Sequence, residues 1–439
     1  MPTSYLPYEP NQDLLLPHSL REWLPEDHLA HYISETIDTL DLRAFYARYE
    51  EGGARNQPFH PVMMVKVLVY GYATGVFSSR KIAKKLHEDV AFRLLAAGNF
   101  PKHRTICDFR ALHLGELSEL FVQVVKLARE CGLVKLGTIA VDGTKVRANA
   151  SKHKAMSHER MQATEKELRA QIDALMARAA QADQSEAQEP ELNIPAEIAR
   201  REQRVEVIRA AQARLQQRQR EADEKRGRGP DDDSDQGGGG KKKAGPAFKR
   251  PFGEPLPKAQ DNFTDPDSRI MKSGGGFEQC YNGQTAVDAQ AQIIVAAELT
   301  QCASDVGELT GMVAAVERNT GGVAQVVLAD AGYRSEASFE QISHSPTELI
   351  VALGREGKRK ISTQAGELPL TAAMAVTLAS PEGSAKYRRR KAIVEAPNGW
   401  IKHILGFRQF SFRGVEKVRC EFKLVCAALN LRRMAAMAV

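Results

Sequence analysis

The spacing of apolar residues changes character twice along this chain, and the changes mark its parts. Through residues 1–135 the spacing is helical. Leu24 to Leu40 has Pro25 near a helix start with acids just behind it. Pro61 to Tyr72 is mostly apolar and belongs in a core, while Ser78 to Glu88 places Ile82 and Leu86 on one face behind a serine cap. Val90 to Ala97 is a short helix stopped by Gly98, and a further helix begins at His103 to Arg110 with Thr105 as its cap. From Thr138 the period becomes that of a strand: β-branched and apolar residues lead into Asp142, and turn-formers close the stretch near Asn149.

After this strand the helical period returns as a heptad. Met161, Leu168, Ile172 and Leu175 make one seam, and Ile198, Val205, Ile208 and Leu215 make another. The polar, proline-broken segment Gln181 to Pro195 between them predicts an antiparallel helical hairpin or one arm of a dimer. Residues 226–260 are low in complexity, with Asp231–Asp233, Gly237–Gly240 and Lys241–Lys243, which predicts a disordered linker. Strand patterns resume at Gln279 to Ala289 and Ile293 to Thr300, and Val306 to Asn319 reads as a helix. Val323 to Ala329 is almost wholly apolar, as expected of a strand covered on both faces of a sheet. Ser335 caps the next helix, Glu348 to Leu353 is a strand, and Lys417 to Met434 is an amphipathic closing helix. Strands followed by alternating helices and strands predict an α/β (α+β) fold, a mixed sheet flanked by helices. The expected parts are an all-α DNA-binding domain at 1–135, a catalytic domain at 136–152 and 261–439, a coiled-coil hairpin insertion at 153–225 and the linker at 226–260.

Composition narrows the class without naming an activity. A chain of 439 residues with 43% hydrophobic and 26% charged residues is an ordinary globular protein with room for two or three cores. No apolar run approaches the roughly 20 residues of a membrane span, and the first ten residues carry no signal-peptide pattern. Six scattered cysteines without a C-x-x-C pair suit buried thiols in a reducing cytoplasm better than a disulfide or zinc framework. The net charge of +6 is mild, so nucleic-acid binding has to be argued from local patches. Such a patch exists at the starts of the paired short helices, where Arg80, Lys81, Lys84, Arg104 and Arg110 suit a helix-turn-helix-like DNA reader. A solvated basic face on an ordinary bundle is the plainer alternative.

The candidate chemistry lies in three acids. Asp142 sits within a strand, where an unpaired carboxylate is costly unless a partner or a metal compensates it; a hairpin turn at Asp142-Gly143 is the alternative. Asp330 stands at the C-terminal tip of the apolar strand, where ligands gather in open α/β sheets. Glu395 is the only acid among Lys386, Arg388, Arg389, Arg390, Lys391, Lys402, Arg408 and Arg413, and is either a salt-bridge partner or a metal ligand among phosphate-holding cations. Three carboxylates can hold two Mg²⁺ ions about 3.5–4 Å apart for in-line displacement at phosphorus, and hard Mg²⁺ explains oxygen donors without histidine or cysteine. Lys402 follows Glu395 by two helical turns and can share its side, with Tyr387 and Arg390 flanking the scissile phosphate. Asp288 reads as a turn residue, Asp305 and Glu308 as cap and dipole partners of a helix, and Trp400 as core packing rather than a base-stacking platform.

Val141-Asp142-Gly143, Leu328-Ala-Asp330-Ala-Gly-Tyr333 and the Tyr387…Arg390…Glu395…Lys402 signature resemble bacterial insertion-sequence transposases with a DDE catalytic domain. Pro101-x-His-Arg-Thr-Ile-x-x-Phe-Arg110 is similar to the helical region that precedes the core in that group. The resemblance spans nearly the whole chain apart from 153–260. It implies a ribonuclease-H-like fold and two Mg²⁺ (or Mn²⁺) ions held by a triad of Asp142, Asp330 and Glu395. It also implies cutting of double-stranded DNA at terminal inverted repeats and strand transfer into target DNA. The family signature often has three residues between its Arg and Glu; the longer interval here means that either Arg390 or Lys391 fills the Arg role. A homodimer is expected because two element ends are handled together, in the cytoplasm and on the nucleoid. A non-catalytic, transposase-derived repressor is the alternative from another class, and a metal nuclease without strand transfer is a third.

Overall fold

Helix-forming stretches punctuated by Pro and Gly build the first part of the molecule. The computed structural model describes residues 19–49, 57–185, 193–230, 250–354 and 368–438. The extreme N-terminus, the polar break at 186–192 and the linker residues 231–249 lie outside the described residues. Helices α1 (Leu29–Thr39), α2 (Arg43–Ala47), α3 (Pro61–Ala73), α4 (Ser79–Glu88), α5 (Val90–Leu95), α6 (His103–Leu112) and α7 (Leu114–Glu130) follow in order. α1 starts later than Pro25 suggested, because the His28 side chain accepts the Ala30 N–H and takes the cap position. α6 likewise begins before Thr105, with Lys102 at its N-cap. α3 is buried on nearly every side, as its uninterrupted apolar sequence requires.

The chain then enters a mixed sheet. Strand β1 (Thr138–Arg147) precedes the short β2 (Ala155–Ser157), helices α8 (His158–Ser185) and α9 (Ile194–Lys225), and β3 (Gln260–Asn262), which pairs with β2. Next come β4 (Arg269–Ser273), β5 (Gly276–Asp288), β6 (Ile294–Thr300), α10 (Glu308–Thr320), β7 (Val326–Ala329), α11 (Glu336–Ser343) and β8 (Glu348–Val351). The sheet runs β4-β5-β1-β7-β8, and β6 also pairs with β5. β5 pairs antiparallel with β1, β4 and β6, whereas β7 runs parallel to both β1 and β8. An antiparallel β6-β5-β1 meander extended by parallel strands is the ribonuclease-H-like arrangement. β4 escaped the sequence reading because Arg269–Ser273 carries little apolar alternation; a tight turn folds it back on β5.

Helices α12 (Pro369–Ala379), α13 (Pro381–Arg388), α14 (Arg390–Gly399) and α15 (Val415–Ala438) complete the chain. Between α14 and α15, Trp400–Ile404 is a π-helical turn. α15 is buried around more of its circumference than the amphipathic closing helix expected from its sequence. Val418, Phe422, Cys426, Leu429 and Met434 are all buried, with α3 and α7 on one side and β6 on the other. Gly283 in β5 makes room for it, since a Cβ there would come 2.7 Å from the Phe422 ring. The buried Asn430 accepts the Ile294 N–H at 2.9 Å and donates to the Ile294 carbonyl at 2.8 Å, satisfying the backbone of β6. One continuous core therefore runs from Ala30 in α1 to Met434 in α15, and the N-terminal helices are built onto the mixed sheet.

The α8–α9 pair does form an antiparallel hairpin with its own small core of Met161, Leu168, Ile172, Val205, Ile208 and Leu215. Its base is tied down by charge: Asp261 on β3 accepts from Arg214 and Arg218, and Asp223 pairs with Arg250. Residues 250–260 are thus part of a folded base and not a disordered linker. The cysteines depart from expectation too: Cys107, Cys131 and Cys302 are exposed, Cys280 and Cys426 are buried, and all six are free. Among the described residues no helix is long and apolar enough to cross a membrane.

Candidate active site

Asp142 lies well inside β1, so the hairpin-turn reading fails. Its cross-strand partner on β5 is Thr285. On the other side β1 runs parallel to β7, and the last aligned pair is Val141 with Ala329. The next residue on each strand is an acid, Asp142 on one and Asp330 on the other. Here the strands part. Asp330 leaves the sheet in an extended conformation, and its side chain accepts the Gly332 N–H at 2.8 Å to cap a 3-10 turn over Ala331–Tyr333. β1 continues paired to β5 alone, leaving an open notch at the two acids.

The notch is hostile to negative charge. Burial pushes the Asp142 carboxyl up to about 6; Arg390 pulls it back down, and Asp330 and Asp305 push it further up. Arg390 Nη1 stands 3.9 Å from Asp142 Oδ1. Its guanidinium is buried, with Nε and Nη1 lacking hydrogen-bond partners. Lys391, by contrast, is exposed. The geometry therefore puts Arg390 and not Lys391 beside the first acid. Lys402 is half-buried, and burial lowers its pKa; Cys280 and Asp142 raise it and Lys145 lowers it further. Tyr387 is farther off, in a pocket with Leu353, Leu378 and Ser384 beyond β8.

α14 packs across β1 and β5. Its buried face comprises Arg390, Ile393, Val394, Pro397 and Asn398. At about 100° per residue, Glu395 falls off that face, and its carboxylate is exposed. The side chain that reaches the strand pair is Asn398, whose Oδ1 accepts from Thr285 Oγ1 at 3.2 Å. The π turn that starts at Trp400 also breaks the simple two-turn phase expected between Glu395 and Lys402. The structure brings together Asp142, Asp330 and Arg390, with Lys402 in electrostatic reach, and leaves Glu395 on the open side of its helix.

Two neighbours were not anticipated. Asp305 does not cap α10; Gly307, with φ of 89°, holds that position. The Asp305 carboxylate instead turns back to the sheet and accepts from Asn282 Nδ2 at 2.6 Å, Gln284 Nε2 at 2.7 Å and Lys145 Nζ at 3.3 Å. Tyr333, fully buried, donates to Gln284 Oε1. Asp288 does serve a turn: it accepts the N–H groups of Leu136 at 2.8 Å and Gln290 at 2.8 Å. Trp400 packs partly into the core and carries the Arg432 guanidinium 5.3 Å above its ring.

The basic patch of the N-terminal helices is real except for one member. Arg80, Lys81, Lys84 and Arg104 are exposed. Lys84 and Arg104 make only surface pairs, with Glu88 and Asp108, which are worth little. Arg110 is a correction: only 4% exposed, it is sealed inside the protein. Its Nη1 donates to Tyr72 Oη at 2.8 Å and to the Phe77 carbonyl at 2.9 Å, and its guanidinium lies 4.7 Å over the Phe412 ring. It shares the inner face of α6 with Ile106 and Phe109, so it cannot meet DNA.

The donors around the notch suit a hard divalent cation: they are carboxylate oxygens, and the acids raise one another's cost of ionisation. Among the described residues no three Asp, Glu, His or Cys side chains already stand close enough to enclose an ion.

Comparison with known protein families gives two matches. Residues 18–112 match a transposase domain family (DUF772), and residues 354–435 match the transposase DDE domain. The second range contains Tyr387, Arg390, Glu395 and Lys402; Asp142 and Asp330 lie outside both ranges. No curated protein and no solved structure matches. Matched toward both ends by transposase domain families and built on a ribonuclease-H-like sheet, the chain carries the domains of an insertion-sequence DDE transposase.

Proposed function

We propose that this transposase cleaves DNA at the ends of its element and transfers the freed strand into target DNA, using Mg²⁺ or Mn²⁺. The observation that carries the reading is the register of β1 and β7, which brings Asp142 and Asp330 side by side where the sheet opens. A bound divalent pair would supply an activated oxygen nucleophile and stabilise the leaving oxygen. Asp142 and Asp330 would hold it, with Glu395 on α14 the third acid of the signature. Arg390 offsets the charge of Asp142 and positions it through their 3.9 Å approach. Lys402, Lys391 and Tyr387 serve the DNA strand along the same signature, Lys402 by holding phosphate oxygens.

Incubating the full chain with DNA carrying the inverted repeats of its element, with Mg²⁺ or Mn²⁺, tests the reading. Metal-dependent nicks and joined products support it. Nicks without joining make the protein a nuclease, and binding without cleavage makes it a repressor.

The exposed cations of α4 and α6 are proposed as the DNA-docking face. Replacing Arg80, Lys81, Lys84 and Arg104 by Gln is expected to weaken binding about equally for all sequences. The salt dependence should flatten by about one unit of slope for each phosphate left without its cation. Titrations at several salt concentrations check this, and an unchanged slope removes the patch from the interface. A homodimer, one protomer per element end, is the expected assembly; a monomeric mass in the end-bound complex would exclude it.

A further inference from the structure

Asp305 lies against both acid-bearing segments. Gly143 follows Asp142 directly and Gly332 stands two residues after Asp330, and the Asp305 carboxylate crowds both. A Cβ on Gly143 would sit 2.5 Å from Asp305 Oδ1 and 2.8 Å from Gln284 Nε2. A Cβ on Gly332 would sit 2.9 Å from Asp330 Oδ1 and 3.3 Å from Asp305 Oδ2. Neither glycine has a positive φ, so conformational freedom is not what selects them. Close approach of the carboxylate is.

The carboxylate is also used unevenly. Oδ1 receives three donors, from Asn282, Gln284 and Lys145, and is thereby held in one orientation. Oδ2, turned toward Gly332 and the Asp330 side, accepts from no described residue. The side chain is 19% exposed, so a free lone pair there costs little only if water or a cation reaches it.

We infer that Asp305 supports the notch from behind its two acids: it fixes the backbone beside Asp142 and Asp330 through Gly143 and Gly332, and the negative charge of its outer oxygen adds to the field that favours a cation there. It is a positioning residue. This rests on the two-acid reading of the proposed function, and the test separates the two.

Mn²⁺ affinity of the full chain is measured by titration calorimetry, beside the melting temperature without metal. Asp305→Asn keeps an oxygen in the place that accepts from Asn282, Gln284 and Lys145 and removes the carboxylate charge. It is expected to weaken Mn²⁺ binding by about tenfold or more, in the range seen for groups that orient metal ligands, with a single cooperative melting transition retained without metal. Asp305→Glu should restore part of the affinity. Gly332→Ala displaces the two carboxylates without removing charge, and should lose affinity similarly even if Asp305→Asn does not fold. Wild-type affinity in Asp305→Asn, or in Gly332→Ala where the first variant is unfolded, overturns the inference. If Asp142→Asn loses binding in that same experiment, the two-acid reading stands without it. If Asp142→Asn itself binds Mn²⁺ as tightly as wild type, both fall.

Discussion

Asp142→Asn is expected to abolish cleavage and, in the absence of metal, to make the protein more stable. Cleavage should fall by about three powers of ten or more, since removing a metal-holding carboxylate forfeits several kcal/mol of transition-state stabilisation. The stability effect follows from the carboxyl itself. Folding raises its pKa from 3.8 to about 6. The folded protein therefore keeps a proton that the unfolded chain releases, and the stabilisation is fully present below about pH 4. It is lost as pH rises through 6. By pH 7.5 the ionised Asp142 costs the metal-free fold of order 2–3 kcal/mol, even with Arg390 nearby. An amide avoids that cost, so Asp142→Asn should melt a few degrees higher than wild type at pH 7.5 and equal to it at pH 4. Mg²⁺ should raise the wild-type melting temperature and leave the variant unmoved, because only a protein that binds the ion gains from it. Melting scans at the two pH values check both statements. A variant less stable than wild type at pH 7.5 would contradict the electrostatic account of the notch.

Arg110→Met is expected to produce the largest loss of stability of any single change at the charged residues of α4 and α6. Arg110, Tyr72 and Glu421 form a closed network. Tyr72 Oη donates to Glu421 Oε1 at 3.0 Å, Arg110 Nη1 lies 3.9 Å from the same oxygen, and Glu421 Oε2 accepts the Ser411 N–H at 2.8 Å. Both charges are buried, at 4% and 1% exposure. Removing the cation leaves the buried Glu421 charge without a counter-ion, a loss of about 3–5 kcal/mol. The network joins α3 and α6 to α15, so unfolding should remain cooperative across the whole molecule and not shed the N-terminal helices first. Pairing Arg110→Met with Glu421→Gln should recover much of the loss. Denaturant midpoints of the single and double variants decide the matter; a folded, fully stable Arg110→Met that binds DNA poorly would restore the residue to the DNA face.

Arg110 also shows how sequence legibility runs out. Its spacing from Ile106 is the same interval that put Ile82 and Leu86 on one face of α4, so the helical phase did contain the answer. The residue type outweighed it. Asp142 and Asp330 were legible because a carboxylate inside, or at the tip of, an apolar strand has few cheap explanations. Their adjacency was not, since register depends on β5 and β7 meeting β1 from opposite sides, a long-range fact. Asp305 was read as a cap because it precedes a helix; the left-handed Gly307 takes that place and frees the acid to fold back on the sheet. The π turn follows Pro397 and Gly399, two helix-weakening residues that marked the place, and the simple two-turn phase between Glu395 and Lys402 ignored them. In α15 the polar Glu421 and Asn430 are both buried and satisfied by partners distant in sequence, which no local pattern announces.

The central claim is that a divalent cation is held between Asp142 and Asp330 at the end of β7, and the position of a bound ion tests it most directly. Fe²⁺ put in place of Mg²⁺, then treated with ascorbate and peroxide, cuts the polypeptide beside its ligands. The account predicts cuts next to Asp142 and next to Asp330, both abolished in Asp142→Asn. Cuts confined to other segments, or a pattern unchanged in that variant, would contradict it.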